Sequence, residues 1–209
     1  MVETTIPAPI FEFTGNWLCL DFVNTVNDRP TPHPRELLTS YSNLVAWGQQ
    51  AHIVTDDEAQ RLLEKAAHYP KDASAILQRA IVLREAIHDI FFAIAEDISP
   101  SESNLAIFNT ELAEAMSRAS IVSKAGSFVW DWVGSGDALD CILWRVTRSA
   151  ADLLISGELQ DVRVCSAPDC QWLFLDTSKN HSRRWCDMKG CGNRAKVRRH
   201  YERKKQSPA

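Results

Sequence analysis

Residues 165–194 read CSAPDCQWLFLDTSKNHSRRWCDMKGCGNR, and the cysteines in that run decide how the chain is divided. Cys165 and Cys170 form one C-x4-C pair, and Cys186 and Cys191 form a second after fifteen residues. Two short pairs joined by a longer connector are what a tetrahedral four-thiolate zinc site needs. Each pair makes a turn that presents two sulfurs, and the connector brings the turns together. Pro168 and Asp169 lie in the first turn and Gly190 in the second, residues that tight turns favour. Trp172–Leu175 between the pairs is expected to form a strand packed over the metal. The alternative is four unrelated buried thiols, and the spacing weighs against it. Four thiolates saturate zinc, so the expected Zn2+ is single and structural. It staples a segment too short to fold on its own apolar core.

Charge sets this segment apart from the rest. Residues 161–209 hold twelve Lys/Arg against five Asp/Glu, a net +7, while residues 1–160 carry −11. The chain's formal charge of −4 and pI near 5.9 therefore average two unlike parts. Four thiolates with Zn2+ carry about −2, which leaves the folded arm near +5. Beyond Gly192 the pattern predicts a basic helix. Arg194, Arg198 and Lys205 share one stripe, and Lys196, Arg199 and Arg203 share nearly the opposite one. Val197 and Tyr201 form a small apolar edge expected to dock on the zinc knob. The residues expected to meet nucleic acid are Arg183, Arg184, Arg194, Lys196, Arg198, Arg199, Arg203, Lys204 and Lys205, with Trp185 stacking or packing among them. A solvated basic tail is the competing reading.

The acidic part reads as mainly α with a short β element. Phe11–Asn27 is either a hairpin turned at Gly15-Asn16 or the entry to a helix. Helices are expected over Leu37–Gln50, from Thr55, over Ser74–Glu96, over Pro100–Ala119 and over Leu139–Ile155. Thr55 and Glu58 have capping-box spacing, with Pro70 beyond the far end of that helix. Ser127–Val133 is rich in β-formers, and Gly157 is a candidate C-cap. The organisation is thus a helical domain over 1–160 and a four-cysteine finger over 161–209 ending in a basic helix. Cys19 and Cys141 sit among apolar residues and read as core thiols.

Other classes find less support. No apolar run approaches about 18 residues, and the N-terminus lacks a basic, then apolar, leader. An intracellular, cytoplasmic protein is expected, with no membrane partner. The six histidines show no ligand spacing, and no nucleophile–base set can be assembled, so an enzyme is not expected. In the body, Asp21, Asn24 and Thr25 interrupt an apolar run, and Arg148 and Asp152 are an i,i+4 pair. Asp21, Asn24 and Arg148 are therefore a candidate effector pocket. The competing reading is a structural polar network, since buried polar groups require partners.

The run Cys191-Gly192-Asn193-Arg194, with Trp172–Asp176 and Arg183–Cys186, resembles the CGNR zinc-finger family. Leu20–Thr25 resembles the opening motif of the ABATE domain that precedes this finger, and Arg148–Leu154 the stretch leading into it. The resemblance implies a stress-related transcription regulator or an RNA-binding, zinc-ribbon-like protein. DNA is weighed above RNA. A protein-interaction module with a structural zinc remains a third class. A homodimer is a further expectation, since one finger offers little contact area.

Overall fold

The computed structural model describes residues 9–134 and 136–206, with only the helical backbone given for 202, 203, 205 and 206. In chain order the elements are α1 (Leu18–Val23), β1 (Val26–Asn27), β2 (Arg35–Glu36), α2 (Tyr41–Gln50), α3 (Asp56–His68), α4 (Pro70–Ala95), α5 (Glu102–Arg118), β3 (Ala119–Lys124), β4 (Ser127–Trp132) and α6 (Cys141–Leu154). A 3-10 turn at Leu159–Asp161 leads to β5 (Val162–Val164), β6 (Leu173–Leu175), a π turn at Met188–Gly192 and α7 (Asn193–Gln206). Among the described residues the fold is mainly helical, with three antiparallel two-stranded pairs, and the four-cysteine segment ends in a helix. Among the described residues no helix is long and apolar enough to cross a membrane.

Local chemistry accounts for the helix starts. Ser40 and Ser101 each accept the N–H three residues on, at 3.2 Å. Thr55 and Glu58 close the capping box in both directions, at 3.2 and 2.8 Å. Pro70 opens α4 rather than merely lying beyond α3. In the first turn a missing N–H costs nothing, because that group has no partner within the helix. The helix therefore begins four residues before the expected Ser74. In the N-terminal stretch the helical alternative holds, with Asn16 at φ 60° just before α1. The cap of α6 is Ile155, so Gly157 does not close it.

The core gathers the expected stripes. Leu83, Ile87 and Phe91 of α4 are buried in a core that also holds fully enclosed Trp47 and Trp144, with α4 packed on α5, α1 and α2. Cys19 and Cys141 are core thiols, as their surroundings suggest. Burial pushes Cys19 far above the usual thiol range and Cys141 up to about 11, so neither is a ready nucleophile. One buried cation is fully answered. Arg84 grips Glu36 through two 2.6 Å contacts and also reaches Thr25 and Glu85, tying α4 to the chain around β2.

The strand β6 is where body and cysteine segment meet. Leu173 and Leu175 join the body core, while Phe174 between them faces the cysteines. Period-2 alternation gives one three-residue strand two apolar walls. Val162 of β5 enters the body core as well.

Candidate metal centre and basic helix

The four cysteines converge. Their sulfurs lie within 4.8 Å of one another and all four residues are buried. Cys186 Sγ stands 3.6 Å from both Cys170 Sγ and Cys191 Sγ. A disulfide would require about 2.05 Å. A tetrahedral zinc with Zn–S near 2.3 Å sets its thiolates about 3.8 Å apart. A sulfur at such spacing from two others fits a shared metal and no covalent pair. The donor set is all soft thiolate, which suits zinc. The centre is that of one structural zinc, with no ligand position left for water.

Backbone geometry builds both turns. The Cys165 N–H donates to Trp172 O at 2.8 Å, continuing the β5–β6 ladder to the first ligand. Cys170 N–H closes the first turn on Ala167 O at 3.1 Å. In the second, the Asp187 carboxylate accepts the Gly190 N–H at 2.6 Å. Each member of the Cys191–Arg194 tetrad then has a distinct task. Cys191 is a ligand. Gly192 leaves room for Met188, whose sulfur would lie 2.9 Å from an added Cβ. The Asn193 side chain donates to Lys189 O at 3.0 Å, holding the start of α7 to the turn. Arg194 Nη2 donates to Cys191 Sγ at 3.1 Å, setting a guanidinium against a ligand thiolate. A cavity of about 150 Å3 opens beside this corner, bordered by Asp28, Arg35, Asp187 and Arg194.

The residues expected to contact nucleic acid separate into groups. Lys196, Arg198, Arg199 and Lys204 are exposed on α7. Arg194 is half exposed and partly engaged with Cys191 and Asp169. The side chains of Arg203 and Lys205 lie outside the described residues. Arg184 is exposed, with its guanidinium 5.4 Å from the Trp185 ring, and Trp185 packs partly buried against the zinc cluster. Arg183 differs from expectation. Its guanidinium donates to the carbonyls of Thr14, at 2.8 Å, of Trp185, at 3.0 Å, and of Cys186. It also lies 4.3 Å from the Phe174 ring. Those contacts make half-buried Arg183 a latch inside the fold. Val197 and Tyr201 are corrected too. They are 54% and 62% exposed, so the expected docking on the zinc knob does not occur.

The N-terminal motif is committed to the same region. Asn24 donates to Leu173 O at 2.8 Å and accepts Leu173 N–H at 2.9 Å, pairing with β6 as a strand would. Asp21 accepts the Gly15 N–H at 2.7 Å. Burial pushes its carboxyl up to about 6, against the pull of the Gly15 and Thr14 N–H groups and the Arg183 charge. Gly15 O accepts Leu175 N–H at 2.8 Å, and Trp172 Nε1 reaches Val26 O at 2.8 Å. Arg148 instead pairs with Asp152 at 2.7 Å and lies 3.9 Å from the Trp130 ring. Among the described residues no hydrogen bond or ion pair joins Arg148 to Asp21 or Asn24. Asp21 and Asn24 thus have partners inside the fold, and Arg148 pairs with Asp152 through Nε while its buried Nη1 has no hydrogen-bond partner among the described residues. Sequence alone missed the Arg183 latch and the Asn24–Leu173 pairing, which spans 149 positions and leaves no local signal.

Two family models match the chain. Residues 16–157 match ABATE, described as "Putative stress-induced transcription regulator". Residues 162–204 match the CGNR zinc finger. No curated protein matches the chain.

Proposed function

Because the chain belongs to the ABATE family and ends in a CGNR zinc finger, we propose that it is a DNA-binding transcription regulator whose basic helix α7 is the nucleic-acid contact. One observation carries this reading. Helix α7 holds seven Lys/Arg against one acid over fourteen residues, and its described side chains are exposed or, at Ala195, half-buried. A helix of that length, charged all round and packed only at its start, is marginal in water. Phosphates would supply the countercharge that the fold does not. A helix of α7's width fits the DNA major groove, whereas the major groove of RNA duplexes is too narrow to be read by side chains. That favours DNA. The second reading, single-stranded RNA, is favoured by the Arg184–Trp185 pair, which could stack on an unpaired base.

The proposal makes the protein a binder rather than an enzyme, since thiolates fill the zinc coordination. It places the protein in the cytoplasm, with stress as the condition that engages it. The test measures affinity for pooled DNA and RNA oligomers across a salt series. Steep salt dependence is expected, with DNA above RNA. Arg198→Ala with Arg199→Ala should weaken binding about uniformly across sequences and lower the salt slope by about 2. Unchanged affinity in that double variant would place the contact on another surface.

A further inference from the structure

The β3–β4 hairpin projects from the body with more apolar surface than its setting needs. Its register is Ala119↔Trp132, Ile121↔Trp130 and Ser123↔Phe128 on one face, and Ser120↔Asp131, Val122↔Val129 and Lys124↔Ser127 on the other. Trp132 anchors the base, 9% exposed and with its ring 6.2 Å from that of Trp144. Further out the aromatic face is covered only in part, by Arg148 at 3.9 Å from the Trp130 ring, and Ile121 is 54%, Trp130 43% and Phe128 78% exposed. Among the described residues neither edge pairs with another strand. A lone two-stranded ribbon is marginal in water, and an unprotected apolar edge is a template for pairing.

The ladder shows which backbone groups point outward. Val133 N–H donates to Arg118 O at 2.8 Å, which makes Arg118–Val133 a hydrogen-bonded pair. Antiparallel pairs alternate. Phe128 and Trp130 therefore direct their own N–H and C=O groups away from β3, off the free edge of β4.

We propose that β4 pairs antiparallel with β4 of a second copy of this chain, about a two-fold axis at Val129, to make a continuous four-stranded sheet. The edge is self-complementary in that register. Phe128 stands opposite Trp130 of the second copy and Trp130 opposite its Phe128, so outward-pointing backbone groups meet at both pairs. The same register makes two aromatic cross-strand contacts on one face. Ser127 stands opposite Asp131, and no like charges face each other. Lys124, Ser127 and Asp131 of the second copy then fall in one row across the sheet. With strands about 4.8 Å apart, the lysine stem reaches over Ser127 to that carboxylate, and symmetry repeats the ion pair. Pairing through β3 about Val122 is poorer. It sets Ile121 against Ser123, gives Lys124 no acid, and leaves Phe128 and Trp130 open. This charge and register complementarity singles out a second copy over an unrelated apolar partner. The patch is of the order of a few hundred Å2 per copy. That is below the roughly 800 Å2 per partner of a standard interface, so the dimer should dissociate reversibly in the micromolar range.

Sedimentation of the full zinc-loaded chain, without nucleic acid, tests this separately from the function proposed above. A monomer–dimer equilibrium is expected. Phe128→Pro removes one outward N–H and the ring but no bond to β3, and should weaken the dimer about tenfold or more. Lys124→Asp and Asp131→Lys should each weaken it several-fold, and combining them should restore it. Zinc content and circular dichroism confirm that each variant is folded. Should Phe128→Pro fail to fold, the charge-swap series decides alone. A chain that stays monomeric to about 0.5 mM overturns the proposal. So does a dimer indifferent to Phe128→Pro in a folded protein, or a double swap no stronger than the singles.

Discussion

Helices α4 and α7 are attached to the molecule in opposite ways. Helix α4 runs 26 residues and buries an apolar stripe that includes Leu83, Ile87 and Phe91. Helix α7 runs 14 residues, and its main packing contact is the π turn that carries Cys191. One is placed by water's exclusion from its face. The other is aimed by a metal and a few polar contacts, with its charge left free. Apolar burial fixes a helix on every side it covers, whereas a staple at one end fixes where it starts and leaves its surface available.

The largest expected effect breaks the staple. Cys186→Ser should take zinc from one per chain to near zero, read by metal analysis, and lower the helical signal as α7 loses its anchor. It should also lower the body's unfolding temperature, because Leu173 and Leu175 belong to the body core. A body that melts unchanged would show that the two attachments are independent. Wild-type protein without zinc would remove the staple from the account altogether.

A smaller effect separates two arginines of the same segment. Arg183→Ala strips the carbonyls of Thr14 and Trp185 of a charged donor and should cost about 1–3 kcal/mol in denaturant unfolding. Arg198→Ala, on exposed α7, should stay within about 0.5 kcal/mol. Equal costs would erase the distinction between latch and contact surface.

The smallest effect concerns Asp21 in α1. Its folded carboxyl is raised to about 6, above an unfolded value near 4. A raised acid favours the folded state when protonated. That contribution is full below about pH 4, roughly 3 kcal/mol for two pKa units, and fades as pH rises through about 6, with about 1 kcal/mol of it lost between pH 5 and 8. Asp21→Asn should remove this fall between pH 5 and 8 while keeping an oxygen for the Gly15 N–H. Parallel stability curves for the two proteins would mean that the carboxyl is not desolvated as its burial implies.

Much of this was legible in the sequence where the cause is local. Thr55 and Glu58 announce a capping box in four residues, and the steps from Leu83 to Ile87 and Phe91 announce a buried face. The four ligands were legible because metal spacing is a short-range pattern. Residues 119–124 were not. They begin where the expected helix ends at Ala119 and carry no signal of their own, and they become β3 because β4 lies opposite, turned by Ala125 and Gly126 at φ 49° and 81°. Val197 and Tyr201 misled because helical spacing marks a shared face but not whether anything covers it. Asn24 looked like a pocket residue because a polar side chain in an apolar run demands a partner, and its partner is 149 positions away.

The two-sided strand at Leu173–Leu175 bears on how such a chain can be recombined. A cut at Gln160 would strip apolar side chains from the body and leave the amide of Asn24 without its partner. The excised piece would carry Leu173 and Leu175 into water. The finger is therefore not a cassette to be grafted alone. A transplant that preserves its aim must carry residues 14–27 with it, as a bolt is moved together with its socket.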